Sequence, residues 1–285
     1  MPGTCDTASR VWDGTHQVAV GERHYARDRG VESALREGAA MAIYDRPVRI
    51  LMREMIAQLA PTPDAVFTRQ DALNWFREHY PKVKEGTVSA HLLRFSTNAR
   101  SRHHYSPRPD EAQLYQLDGG RFRLHDPQRD PAPITNDGSP PDDANGIEDD
   151  APDGDGKFAY ESDLRDFLAR NLAIVEPGLQ LYEDEGITGV EFPVGGRFAD
   201  ILGVDAQGRL VVIELKVSRG YDRVIGQLLR YMAWIREHQA EPGQGVRGMI
   251  IAREISEDLR LACSSIPDIA LYEYELAVTL RHVNS

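Results

Sequence analysis

From Pro47 onward, apolar side chains fall at Val48, Leu51, Met52, Met55, Ile56 and Leu59, a spacing that gathers them on one face of a helix. Pro47 suits the first turn of that helix, and Pro61 and Pro63 end it. A second helix is predicted after Thr68, with Ala72, Leu73, Trp75 and Phe76 on its buried side, stopping before Pro81. A third runs from about Gly86 through Val88, His91, Leu92, Leu93 and Phe95. The pattern then changes from helical to alternating. Leu114–Leu117 and Arg121–Leu124 read as two short strands around Asp118-Gly119-Gly120, a strong hairpin signal.

Three helices and a hairpin are the order of a winged helix-turn-helix, which sets an expected first domain at residues 41–125. The forty residues before it lack steady periodicity and are expected to be a disordered tail. After residue 156 the pattern is mixed α and β. Leu164, Phe167, Leu168 and Leu172 mark a helix starting near Glu161. Val190–Val194 reads as a strand, and Phe198–Val204 with Leu210–Val217 as a hairpin across Asp205–Gly208. Residues 222–239 form a long helix burying Ile225, Leu228, Leu229, Met232 and Ile235. A strand at Val246–Ala252, a helix at 256–265 and a strand at Ala270–Leu280 complete a second domain, 157–285. The expected fold class is α+β followed by α/β.

Charge is divided unevenly between these parts. The chain of 285 residues has 33 basic and 45 acidic residues, a net charge of −12. Residues 41–125 hold 13 basic and 9 acidic residues (+4), whereas 126–155 hold 1 and 10 (−9). That short acidic stretch also has six Pro and three Gly and little to bury, so residues 126–156 are expected to be a disordered, self-repelling linker. The overall acidity therefore says little about the first domain, and a nucleic-acid partner stays open. No stretch approaches the roughly 20 apolar residues of a membrane span, and no apolar signal-peptide core opens the chain. Two cysteines, Cys5 and Cys263, make no disulfide framework and fit a cytoplasmic setting.

The candidate chemistry lies in Gly196-Arg197-Phe198-Ala199-Asp200 and Val211-Val212-Ile213-Glu214-Leu215-Lys216. With the hairpin turn centred on Gln207, Asp200 faces Glu214, and cross-strand Cβ atoms lie about 4.5–5.5 Å apart. Lys216 is two residues on and shares the face of Glu214. Two carboxylates that close repel unless a cation sits between them. Hard oxygen donors (Asp200, Glu214 and the backbone carbonyl of Leu215) suit Mg²⁺ or Mn²⁺, and a neighbouring Lys can orient a water and offset developing charge. A surface salt bridge on an exposed hairpin is the competing reading. It fits less well, because Glu214 and Lys216 interrupt a nearly continuous apolar run and buried charge is costly unless paired.

Two flanking segments sharpen this: Glu161-Ser162-Asp163-Leu164-Arg165-Asp166-Phe167-Leu168 before the strands, and Gly226-Gln227-Leu228-Leu229-Arg230-Tyr231-Met232 on the helix after them. With these, residues 158–283 resemble the C-terminal domain of the NucS (EndoMS) endonucleases, within the PD-(D/E)XK nuclease superfamily. The resemblance implies that Asp200 and Glu214 bind metal, that Lys216 is the catalytic lysine and that Glu161 adds an acid. It further implies that Gln227 and Tyr231 support the site or touch DNA, and that Arg197 contacts a phosphate. This chain has Arg197-Phe198-Ala199-Asp200, one residue longer than the family's Arg-Ile-Asp. The first domain does not share the resemblance; it looks instead like winged helices fused to restriction-type nucleases.

From Gly86 to Pro109 there is no acid, while Arg94, Arg100, Arg102 and Arg108 occur with His91, His103 and His104. The histidines have no zinc-like spacing to cysteine. Arg94, Arg100 and Arg102, with Arg121 and Arg123 on the wing, are expected to contact duplex DNA, and Ser89, Arg94 and Asn98 to read base edges. A solvated basic face is the plain alternative. The sequence thus points to a Mg²⁺-dependent endonuclease of restriction or defence, acting as a homodimer, with modified DNA as a candidate signal. Repair cleavage of mismatched or branched DNA is the rival reading, and an inactive DNA-binding module the reading from a different class.

Overall fold

A computed structural model describes residues 44–118, 120–134, 155–216 and 222–275, with the backbone alone for 155–160 and 222. The expected tail at 1–40, most of the linker and the C-terminal end of the last strand lie outside the described residues.

The first module follows the predicted order. Helix α1 spans Val48–Leu59, strand β1 Phe67–Thr68, α2 Arg69–His79 and α3 Glu85–Phe95, followed by the hairpin of β2 (Leu114–Asp118) and β3 (Arg121–Leu124). A reciprocal cap starts α2: the Asp71 N–H donates to Thr68 Oγ1 at 3.1 Å, and the Thr68 N–H to Asp71 Oδ2 at 2.8 Å. Strand β1 joins the hairpin as a three-stranded sheet ordered β1-β3-β2, where Phe67 and Phe122 pair across strands and stack. Leu51, Met55, Phe76, Leu92, Phe95, Leu114 and Phe122 close its core.

The second module opens with α4 (Asp155–Arg170), which begins about six residues before the predicted start. Four short strands follow: β4 (Gln180–Leu181), β5 (Glu183–Asp184), β6 (Ile187–Thr188) and β7 (Val190–Val194). Then come β8 (Arg197–Val204), β9 (Leu210–Lys216), α5 (Asp222–His238), β10 (Val246–Ala252), α6 (Glu257–Ser264) and β11 (Ile269–Glu273). The main sheet is ordered β11-β10-β9-β8-β4, with β7 also on β8. β9, β10 and β11 run parallel, whereas β7, β8 and β9 are antiparallel neighbours. Leu228, Met232 and Ile235 of α5 cover one face of this sheet, and Leu164 and Leu168 of α4 cover the other.

Two expectations about organisation change. Residues 126–134, expected as the start of a disordered linker, are held in place. Asp130 binds Arg123 (Nη1 to Oδ2 2.7 Å), and the Ile134 N–H donates to the Thr97 carbonyl at 2.8 Å. The acids that suggested repulsion have arginine partners here. In addition, the two modules share a core: Ala90 of α3 and the fully buried Tyr105 pack with Phe192, Val194 and Ala199. An added Cβ on Gly86 would lie 2.3 Å from Gln239 Oε1 and 3.0 Å from the Phe192 ring, so glycine is what lets α3 approach this closely. Among the described residues no helix is long and apolar enough to cross a membrane.

Candidate active site

The β8–β9 register is the one set by a turn centred on Gln207: Val204 pairs with Leu210, Leu202 with Val212 and Ile201 with Ile213. Asp205 caps the turn, its Oδ1 accepting the N–H groups of Gln207 (3.0 Å) and Arg209 (2.9 Å). The ladder ends at Ile201–Ile213, and the next two positions in register are Asp200 and Glu214. There the two strands diverge, and a side chain replaces the backbone ladder: Asp200 Oδ2 accepts the Leu215 N–H at 2.7 Å.

Glu214 is almost fully buried, at 1% exposure. Its Oε2 accepts from Gln227 Nε2 at 2.9 Å, and the same amide reaches Tyr231 Oη at 3.3 Å. Gln227 and Tyr231 lie four residues apart on α5, so they share a helix face beneath the carboxylate. The second Glu214 oxygen, Oε1, is buried with no hydrogen-bond partner. A carboxylate oxygen left like this is expensive unless something else meets it.

The electrostatics bring Glu161, Asp200, Glu214 and Lys216 into one cluster. Burial pushes the Glu214 carboxyl well above its usual range, and the neighbouring charges of Asp200 and Glu161 push it the same way. Burial also raises Glu161, with Asp200 adding to the effect, while Lys216 and Arg165 pull it down. Asp200 is raised by burial against the Leu215 N–H, Lys216 and Arg165. Three acids pushed toward neutrality despite Lys216 and Arg165 form a centre short of positive charge.

That deficit and the orphaned Glu214 oxygen suit a divalent cation. Among the described residues no three His, Cys, Asp or Glu side chains stand ready as a preformed cage. The donors that fit are Asp200, Glu214 and the Leu215 carbonyl, all hard oxygens.

The residues expected to touch DNA fare differently. Arg94 is buried, with Nε on Glu111 Oε2 at 2.8 Å and Nη1 on the Gly186 carbonyl at 2.8 Å. Arg102 is buried and donates to the Ile134 carbonyl. Ser89 and His91 are buried as well, and Asn98 exchanges two hydrogen bonds with the Gln116 backbone. The expected reading face of α3 is therefore packed inside: Thr87 of α3 donates to Asp184 Oδ2, and Gln239 of the second module donates to Thr87. The cluster was expected to contact DNA because its own segment holds no acid, but Arg94 is met by Glu111 and by the Gly186 carbonyl of the second module. Arg100, Arg121 and Arg197 are exposed, with Arg121 bonded to Asp118. Arg123 is half-buried, held by Asp130 and stacked 4.8 Å from the Tyr115 ring. Tyr231 is buried, its hydroxyl directed at Gln227 rather than at solvent.

Arg165, to which the sequence assigned no role, is a cation beside Asp200 and Glu161. Its position four residues after Glu161 on the same helix was the available signal.

Comparison with known proteins follows the module boundary. Residues 47–124 match a family described as a domain of unknown function, DUF7669, and residues 160–265 match the Endonuclease NucS C-terminal domain. Endonuclease NucS of Methanopyrus kandleri is 33% identical over 103 residues, 36% of either chain. That of Pyrococcus furiosus is 30% identical over 98 residues, 34% of this chain and 33% of its own. The chain thus spans about a third of the length of these relatives. Among solved structures, a repair endonuclease from Pyrococcus abyssi aligns at 23% identity over 45% of this chain and 50% of its own, with a TM-score of 0.34. An EndoMS–dsDNA complex aligns at 24% over 48% and 51%, with a TM-score of 0.35.

Proposed function

Since residues 160–265 form a NucS-type C-terminal nuclease domain, we propose that this chain is a metal-dependent DNA endonuclease of the PD-(D/E)XK type. The observation that carries the reading is the convergence of Glu161, Asp200, Glu214 and Lys216 where β8 leaves β9. A bound Mg²⁺ or Mn²⁺ would polarise the phosphodiester and lower the pKa of a water.

The chain's own groups do the rest. Asp200 is aimed by the Leu215 N–H, and Glu214 by Gln227, so both carboxylates are fixed before a substrate arrives. Lys216 holds a positive charge against the phosphate and hydrogen-bonds the attacking water. Tyr231 keeps the Gln227 amide pointed at Glu214. Burial of Glu214 keeps bulk water away from that side of the centre.

The target class is duplex DNA. Residues 47–124 match a different family from NucS, and restriction or defence is the setting that this fusion suggests. The similarity of the nuclease module to Endonuclease NucS favours a second reading, repair cleavage of mismatched or branched DNA. The two part on substrate: incubation with Mg²⁺ and a panel of unmodified, methylated, mismatched and flapped duplexes gives preferential cutting of methylated DNA in the first case. Mismatched or flapped DNA is preferred in the second. In either, Asp200→Asn and Lys216→Met lower the rate by ~100-fold or more. Undiminished cutting by both variants overturns the site.

A further inference from the structure

Strand β7 contains a residue whose backbone has no local reason to be where it is. Glu191 adopts φ +47, a left-handed conformation unusual for a side chain with a Cβ. Its neighbours Val190 and Phe192 pair with Ile201 and Ala199, so Glu191 lies opposite Asp200. Strained backbone of this kind persists only where surrounding contacts hold it, and three are present. The Glu191 carbonyl accepts from Tyr105 Oη at 3.1 Å, its carboxylate meets Arg165 Nη1 at 2.7 Å, and His104 Nε2 lies 3.8 Å away. Tyr105 and His104 belong to the first module; Arg165 belongs to α4, one turn beyond Glu161.

Arg165 is mostly buried, at 13% side-chain exposure, and its Nε has no hydrogen-bond partner. A guanidinium placed this way is not a surface ion pair. It is a fixed cation bonded to Glu191, the residue of β7 that lies opposite Asp200 of β8.

We infer that Arg165 is a positioning residue of the carboxylate centre, aimed by Glu191, and that the first module fixes Glu191 through Tyr105. On this account the first module completes the catalytic centre as well as standing beside it. The inference deepens the nuclease reading and rests on it for the rate measurements alone.

The test compares Arg165→Gln, Arg165→Lys and Glu191→Gln with the unaltered chain. Single-turnover cleavage with Mg²⁺ should fall ~10-fold or more for Arg165→Gln, with DNA affinity in Ca²⁺ changed less than ~3-fold, and Arg165→Lys should recover most of the rate. Glu191→Gln should also lose rate and add little in the Arg165→Gln background, as residues acting through one another do. A second readout needs no activity. The Leu215 N–H is bonded to Asp200, so its amide proton shift and exchange rate should change in Arg165→Gln and return toward the original in Arg165→Lys. An unmoved Leu215 amide, or cleavage by Arg165→Gln at the original rate, overturns the inference. Failure of the unaltered chain to cut any DNA overturns the nuclease reading instead, and the amide measurement then still decides the role of Arg165.

Discussion

A single imidazole shows how strongly burial shapes individual residues. His91 on α3 is fully buried, and neither ring nitrogen has a hydrogen-bond partner. Burial first, and then the charges of Arg94 and Arg49, lowers its pKa from 6.5 to about 3. The unfolded chain therefore binds a proton near pH 6.5 that the folded chain refuses. The unfolded state holds more protons between those values, so stability is complete above pH 6.5 and falls as pH drops toward 3. From pH 7 to 5 the loss amounts to about 2 kcal/mol for a group shifted this far. Urea unfolding at both pH values should show this loss, and His91→Leu should lose less stability over the same range by about that amount; an identical pH slope in the two proteins contradicts the account. At this scale the sequence was most informative about the carboxylates. Alternation and a Gly-containing turn fix which residues face each other, so the residue pattern alone sets Asp200 opposite Glu214. Glu191 could not be singled out in this way, because nothing in a Val-Glu-Phe stretch signals a left-handed backbone imposed by a tyrosine from another module.

Between elements, the contact of α3 with the second module governs what each side chain can do. Gly86 sits where any Cβ would press on Gln239 and Phe192. Gly86→Val should cost about 1–3 kcal/mol by overpacking, visible as a lower thermal midpoint; an unchanged midpoint would mean α3 is not held there. Arg94→Met should be worse, at about 3–5 kcal/mol, because it leaves the fully buried Glu111 without its cation. Arg121→Ala, on the exposed hairpin, should change stability by less than ~1 kcal/mol. Comparable losses for Arg94→Met and Arg121→Ala would argue that α3 faces solvent after all. The helices and strands themselves were legible because periodicity, prolines and the Thr68 cap are local signals. Docking was not, since the arginines of α3 and the following segment looked unopposed in sequence; Glu111 and the Gly186 carbonyl meet Arg94 only once the chain has folded.

Across the described part of residues 44–275, the molecule is a cluster of carboxylates and one lysine buttressed by an N-terminal module. A residue of the first module should therefore influence cleavage. Tyr105→Phe removes the hydroxyl that holds the Glu191 carbonyl yet keeps the ring in the shared core. It should slow cutting by about 2- to 5-fold, with little change in the thermal midpoint; an unaltered rate would show the module to be independent of the centre. The claim underlying all of this is that Asp200, Glu214 and Lys216 form a phosphodiester-cleaving site. The most direct measurement is single-turnover cleavage of end-labelled duplexes, including methylated, mismatched and flapped substrates, in Mg²⁺ by the unaltered chain and by Asp200→Asn. The account predicts that the unaltered chain cuts at least one of them and that Asp200→Asn cuts it ~100-fold more slowly with DNA affinity changed less than ~3-fold. Absence of cutting by the unaltered chain, or equal cutting by both proteins, would contradict it.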